Sequence, residues 1–163
     1  MHSPNAPVVS LDALKAILEG LDPRPKTVLT NGVFDILHGG HASYLEAASK
    51  LGDLLIVALN DDASVLALKG PGRPVLKLQD RLRLVASIRW VDYVTWFSDL
   101  TLDRALEAIR PDIHAKGVDY GGTGVPEARL SESLGIQVVL VGEPKRLSTT
   151  GLIAHIRNFD QTS

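Results

Sequence analysis

Five short apolar runs are spaced along the chain, separated by longer stretches in which apolar residues recur every three or four positions. The runs are KTVLTN (26–31), LLIVALN (54–60), DYVTWF (92–97), DIHAKG (112–117) and IQVVLV (136–141). Each has the length and the β-branched or aromatic content of a strand. LLIVALN is almost continuously apolar, as burial on both faces requires.

The intervening stretches read as helices. Ser10 is a good N-cap for a helix to Glu19, with Leu11, Leu14, Ile17 and Leu18 on one face and Gly20 as its stop. HASYLEAASKL (41–51) places Tyr44, Leu45, Ala48 and Leu51 on one face. A short helix is predicted from Asp62, then helices over 78–90, 100–110 (stopped by Pro111), 126–134 and 148–157. KGPGRPV (69–75) is predicted as a loop, because its Gly and Pro residues exclude regular structure. Strands alternating with helices predict an α/β fold: a Rossmann-like, doubly wound, five-stranded parallel sheet of order 3-2-1-4-5. The 163 residues suit one domain, with its core over about 26–157.

Composition narrows the chemistry. A net charge of −2 gives no global attraction to polyanions, and no basic patch stands out, so neither nucleic acid nor a membrane is an expected partner. Without cysteine there is no disulfide, thiolate metal site or thiol nucleophile. No apolar stretch approaches the ~20 residues of a membrane span, and the first ten residues lack a basic segment followed by an apolar one. The expectation is a cytoplasmic protein.

The candidate chemistry sits in TNGVFDILHGGH (30–41), directly after the first strand. A glycine pair there lets backbone approach a ligand, and the helix that follows presents unpaired N–H groups and a positive dipole end to an anion. Two imidazoles at such a mouth, His38 and His41, are suited to donate hydrogen bonds to oxygens that gain charge during phosphoryl or nucleotidyl transfer. Neither G-x-G-x-x-G nor G-x-x-x-x-G-K-[ST] is present.

GVFDILHGGH resembles the signature of the HxGH nucleotidyltransferase superfamily, and LSTTGLI (147–153) is similar to its second signature, a Ser/Thr-rich turn opening the last helix. Together with LNDDASV, KGPGRPV, QDR and KGVDY, these segments most resemble the D-glycero-β-D-manno-heptose 1-phosphate adenylyltransferases, over nearly the whole chain. The resemblance implies transfer of AMP from ATP to a heptose 1-phosphate, with Mg²⁺ accompanying the ATP, and a homodimer. It implies catalytic roles for His38, His41 and Lys69. Nucleotide contacts are implied for Gly32, Val33, Phe34, Arg81, Lys116, Asp119, Ser148, Thr149 and Thr150, besides the two histidines. Asp35, Lys69 and Arg73 are implied on the acceptor side. Val33 stands where many members have Thr, and Val118 replaces a glycine of the usual KGGDY.

Plainer readings stand beside these. The histidines could cap a helix or form half of a zinc site, STTGLI could be an ordinary N-cap, and Lys69 and Arg73 a solvated loop. Asp61 and Asp62 read as caps of the short helix rather than magnesium ligands. His114 and His155 read as structural, and Trp90 and Trp96 as core or interface residues.

Overall fold

The computed structural model describes residues 5–122, 124–144 and 147–159. Its five parallel strands are β1 (Thr27–Gly32), β2 (Leu54–Asn60), β3 (Tyr93–Phe97), β4 (Ile113–Gly117) and β5 (Gln137–Val141), in the order β3-β2-β1-β4-β5. The helices are α1 (Leu11–Glu19), α2 (Gly39–Ser49), α3 (Asp62–Lys69), α4 (Leu78–Ala86), α5 (Asp103–Ile109), α6 (Ala128–Ser133) and α7 (Thr149–Phe159). The predicted sheet, its order and its strand positions are all observed.

Alternation along β2 explains the layering. Leu55, Val57 and Leu59 face a core shared with Leu45 and Ala48 of α2 and Val85 of α4. Ile56 and Ala58 face the opposite core, with Leu14 and Leu18 of α1 and Leu106 of α5. Ser10 caps α1 as predicted, its Oγ accepting from the Ala13 N–H at 3.3 Å.

Helix ends differ from the periodicity. The predicted helix over 78–90 stops at Ala86, because the Ser87 N–H bonds back to Leu84 O and a turn then redirects the chain into β3. The predicted helix over 100–110 begins only at Asp103 and ends at Ile109, with Arg110 left-handed before Pro111. The last helix runs on to Phe159. The segment before α1 also lies along β3, with the Val94 N–H bonding Pro7 O and the Val9 N–H bonding Val94 O.

Three aspartates secure the amino ends of the inner strands. Asp53 accepts from the Lys26 N–H (2.8 Å), Asp92 from the Leu55 N–H (2.7 Å) and Asp112 from the Thr27 N–H (2.7 Å). At the opposite end Arg81, with no solvent exposure, ties four segments together. It donates to Leu76 O, Val33 O and Asn60 O at 3.0, 2.7 and 2.8 Å, and to the Asp62 carboxylate at 2.7 Å.

Removing that side chain strands three carbonyls, that of Asn60 fully buried, and a carboxylate, so Arg81→Ala is expected to lower unfolding stability by about 3–5 kcal/mol. Urea denaturation measures it; a loss below about 1 kcal/mol would show that the carbonyls find other donors.

Candidate functional site

Beyond the carboxyl ends of the strands, where the order reverses between β1 and β4, lies a cavity of about 700 Å³. This is the crevice in which doubly wound sheets bind ligands. The turn from β1 into α2 forms its centre. Phe34 takes a positive φ of 48°, rare for a bulky residue, and its ring then sits so close to Gly32 that a Cβ there would lie 2.9 Å from Cε2. Glycine at position 32 is therefore required by packing.

His38 is the N-cap of α2. Its Nδ1 accepts from the Gly40 N–H at 3.1 Å, and the His38 N–H donates to His41 Nδ1 at 3.3 Å. These bonds make a reciprocal capping box, so the plain capping reading is part of the answer. They also assign the tautomer: with Nδ1 accepting in each ring, a neutral imidazole carries its proton on Nε2. The two rings lie 4.0 Å apart between centroids, and His41 packs 5.3 Å from Phe34. A Cβ at Gly40 would stand 3.0 Å from the His38 ring, so the second glycine is what lets the imidazole fold over the helix end.

Two helix N-termini converge on the cavity, each with first-turn N–H groups that have no partner inside the helix. One is that of α2. The other is α7, where Ser148 Oγ caps the helix by accepting from the Gly151 N–H at 3.0 Å, and Thr149 Oγ1 donates to Ile36 O at 3.5 Å. Ser148, Thr149 and Thr150 all line the cavity. Tyr44 braces α2 from below, its hydroxyl bonding Ala115 O at 3.0 Å and the Thr30 hydroxyl. Burial raises the pKa of that phenol.

Asp35 is 1% exposed and organises the glycine-rich loop. Its carboxylate accepts from Arg73 Nε (2.8 Å), from the Val75 N–H (2.9 Å) and from the Leu76 N–H (2.8 Å). Burial alone would push its pKa up, but the backbone bonds from Leu76 and Val75 and the Arg73 charge outweigh this and hold it below the ordinary value of 3.8. Lys69 is the last residue of α3, exposed at the cavity edge.

On the far side, β4 contributes Lys116 and the turn after it Asp119. Asn31 Oδ1 accepts from Lys116 Nζ at 2.9 Å and bonds His114 Nε2 at 3.2 Å. Burial, then the Lys116 charge, depresses the pKa of His114 to about 3, so this histidine is neutral and structural. Burial also lowers the pKa of Lys116, opposed by Glu127.

The cavity thus gathers Gly32, Val33, Phe34, Asp35, His38, His41, Lys69 and Arg73 with Lys116, Asp119 and the 148–150 turn. Arg81, predicted to contact phosphate, is instead spent on the protein frame and lies outside the lining. Arg73 is a fixed strut to Asp35 rather than part of a loose loop. Asp61 caps α3, its Oδ1 accepting from the Ser64 N–H, whereas Asp62 pairs with Arg81. Asn31, Glu127 and the apolar Leu68 and Phe97 also line the cavity, and sequence reasoning missed them. The one available signal was Asn31, a polar residue closing a buried strand. No group of three or more His, Cys, Asp or Glu able to hold a metal occurs among the described residues. The buried carboxylates are committed to Arg73 or paired with Lys116. No helix among the described residues is long and apolar enough to cross a membrane.

The Cytidylyltransferase-like family model matches residues 29–151. The bifunctional protein HldE of Ectopseudomonas mendocina is 46% identical over 154 residues, covering 93% of this chain but 32% of that protein. The HldE of Desulfatibacillum aliphaticivorans is 42% identical over 149 residues, covering 91% and 30%. The chain therefore spans about a third of the length of the curated relatives it matches. A crystal structure of the lipopolysaccharide core biosynthesis protein of Thermoplasma volcanium superposes with a TM-score of 0.63 at 28% identity, over 74% of this chain and 99% of that one.

Asp35, with its depressed pKa, stabilises the fold fully above pH 3.8, and that stabilisation is lost as pH falls through its lower folded value. Asp35→Asn is expected to lower stability at pH 7, and the gap to wild type to close as the pH drops into this acid range. Denaturation curves from pH 7 to pH 2.5 check it; a gap independent of pH would mean that the carboxylate charge is not what holds the loop.

Proposed function

Since this chain belongs to the cytidylyltransferase-like family, we propose that it is a nucleotidyltransferase that moves AMP from ATP to a heptose 1-phosphate, giving ADP-heptose and pyrophosphate. One observation carries the reading: two helix N-termini, a histidine pair and two lysines converge on one cavity at the sheet's switch point. That arrangement suits a polyphosphate with a reacting phosphorus near the histidines. The choice of acceptor is supported by the likeness of the motifs to the heptose enzymes, by the HldE relatives, and by the structural likeness to a lipopolysaccharide core biosynthesis protein.

In this reading the first turns of α2 and α7 bind the phosphates through backbone N–H groups, with the hydroxyls of Ser148, Thr149 and Thr150 beside them. An ionised phosphate oxygen of the acceptor attacks the α-phosphorus in line. The bond to the bridging oxygen breaks, and pyrophosphate leaves. The acceptor is already an anion, so no strong general base is required, and catalysis consists of positioning and charge stabilisation. The Nε2–H groups of His38 and His41 steady the charge growing on the α-phosphate. Lys69 draws the acceptor phosphate to the site, and Asp35 holds Arg73 and the loop in place for it. Magnesium, when bound with ATP, neutralises phosphate charge.

Pyrophosphate release across four nucleoside triphosphates and several phosphorylated acceptors tests the reading. ATP with heptose 1-phosphate is expected to be the best pair. Preference for CTP with glycerol 3-phosphate would make the chain a cytidylyltransferase, and no release with any pair would leave a nucleotide-binding module.

His41→Ala is expected to reduce kcat by roughly 10² to 10³, the range for one lost donor to developing charge. The capping bond lost with it costs about 1 kcal/mol of stability, read from a thermal melt. Near-normal turnover in a folded mutant would confine His41 to capping. Lys69→Ala, at an exposed position, is expected to raise KM for the acceptor several-fold with no change in melting temperature; unchanged kinetics would make it a bystander.

A further inference from the structure

Phosphate binding and transfer leave two carboxamides in the cavity without a task. Asn60, the last residue of β2, is 5% exposed and lines the cavity. Its backbone carbonyl is held by Arg81, but its side chain makes no hydrogen bond to any described residue. The buried polar atoms that are sealed from solvent as well as unpartnered are Thr95 Oγ1, His114 Nδ1, Glu127 Oε2 and Ser131 Oγ. Neither Oδ1 nor Nδ2 of Asn60 is among them, so this amide keeps an opening, and the opening is onto the cavity. Burying a carboxamide unpaired is costly, and its partners here come from what the cavity holds.

Asn31, next to last in β1, is the second such group. Its Oδ1 accepts from Lys116 Nζ at 2.9 Å and bonds His114 Nε2 at 3.2 Å. An ammonium only donates, so the oxygen has to face Lys116 and the NH₂ group has to turn away from it. That NH₂ has no hydrogen bond to a described residue and is likewise not sealed. Asn31 thus offers donors in a fixed direction, and Asn60 offers both donors and an acceptor.

The two amides stand on one side of the sheet. Leu29, Ala58 and Phe97 face the core under α1 and α5, and the period of a strand puts Asn31 and Asn60 on that same face, with Phe97 beside Asn60 in register. Leu100, in the loop before α5, adds a second apolar residue to this part of the lining. The helix N-termini assigned to the nucleotide phosphates are elsewhere: α2 packs on the opposite face, and α7 begins beside the β1–α2 turn. From Asn60 the chain passes directly into α3, whose last residue is Lys69. The amides therefore lie toward the acceptor. A neutral group that both donates and accepts suits hydroxyls, and apolar side chains beside it suit the C–H face of a sugar ring.

We propose that Asn60 and Asn31 are specificity-determining residues that hydrogen-bond the sugar hydroxyls of the acceptor, with Phe97 and Leu100 against its C–H face. This rests on the transfer to a sugar phosphate argued above.

The test is pyrophosphate release from ATP with heptose 1-phosphate and with its singly deoxygenated forms, for the wild type, Asn60→Leu and Asn31→Asp, with a thermal melt of each. In the wild type, removing a recognised hydroxyl is expected to lower kcat/KM for the acceptor by about 10-fold or more, because the amide is then left unpaired. Leucine has nearly the shape of asparagine without its polar atoms, so Asn60→Leu is expected to melt at or above the wild-type temperature. Its kcat/KM for heptose 1-phosphate is expected to fall by about 10-fold or more, with KM for ATP within about 2-fold of wild type. The penalty for the missing hydroxyl is expected to shrink to within about 3-fold in this variant, since the two losses are one interaction. Asn31→Asp keeps an oxygen for Lys116 and His114 but removes both donors, and is expected to show the same defect toward the acceptor. A structural role for Asn60 predicts the reverse, a lower melting temperature and an unchanged ratio between the acceptor and its deoxy forms.

Normal use of the acceptor by folded Asn60→Leu overturns the proposal, as does a wild type indifferent to every deoxygenation. A defect that falls on ATP and varies with the base overturns it too, placing the base against the amides. Each of these leaves nucleotidyl transfer standing. If Asn60→Leu does not fold, Asn60→Ala takes its place, and unfolding of both makes Asn60 structural and overturns the proposal. No release by the wild type with any acceptor removes the function above and this inference together.

Discussion

A guanidinium with no access to water is the constraint on which the upper half of this molecule depends. Arg81 bonds the chain just past β1, the end of β2, the start of α3 and the segment leading into α4. Those are the elements that surround the side of the cavity lined by Lys69 and Arg73. A buried cation tolerates no drift in its acceptors, because each one lost leaves an uncompensated charge in a medium of low polarity. The mouth between β1 and α2 is rigid for this reason. Asp35 then extends the rigidity outward, through Arg73 and two backbone N–H groups, to a loop whose glycines and prolines cannot build structure of their own.

The layered sheet was legible because its signal is physical and local. LLIVALN must be buried on both faces, and the alternation of its neighbours between two cores follows from the period of a strand. Handedness and helix alternation pointed to a doubly wound sheet, and its order is one of the two common orders that satisfy both. Helix ends were less legible: 78–90 remains amphipathic past Ala86, but the chain must turn there to enter β3, and that requirement comes from the sheet.

The site was legible where chemistry is contiguous in sequence and opaque where it is assembled across the fold. HGGH and STTG carry their capping and N–H geometry within a single turn each. Arg81 was assigned to the nucleotide because QDR resembles a family motif, whereas its guanidinium folds inward to carbonyls at the ends of β1 and β2. Glu127 had no local signal at all. Its proximity to Lys116 arises only when β4 and the turn before α6 meet.

The aspartates at the amino ends of the strands, Asp53, Asp92 and Asp112, each stand one residue before a strand, β2, β3 and β4 in turn. Each reaches sideways and accepts an N–H at the start of the neighbouring strand: Lys26 before β1, Leu55 in β2 and Thr27 in β1. A carboxylate in that place works as a register pin. Sliding one strand by a single residue would break the bond and would also turn every side chain of that strand to the opposite core. The sheet is thus aligned at its far end before the residues of the cavity rim are brought together.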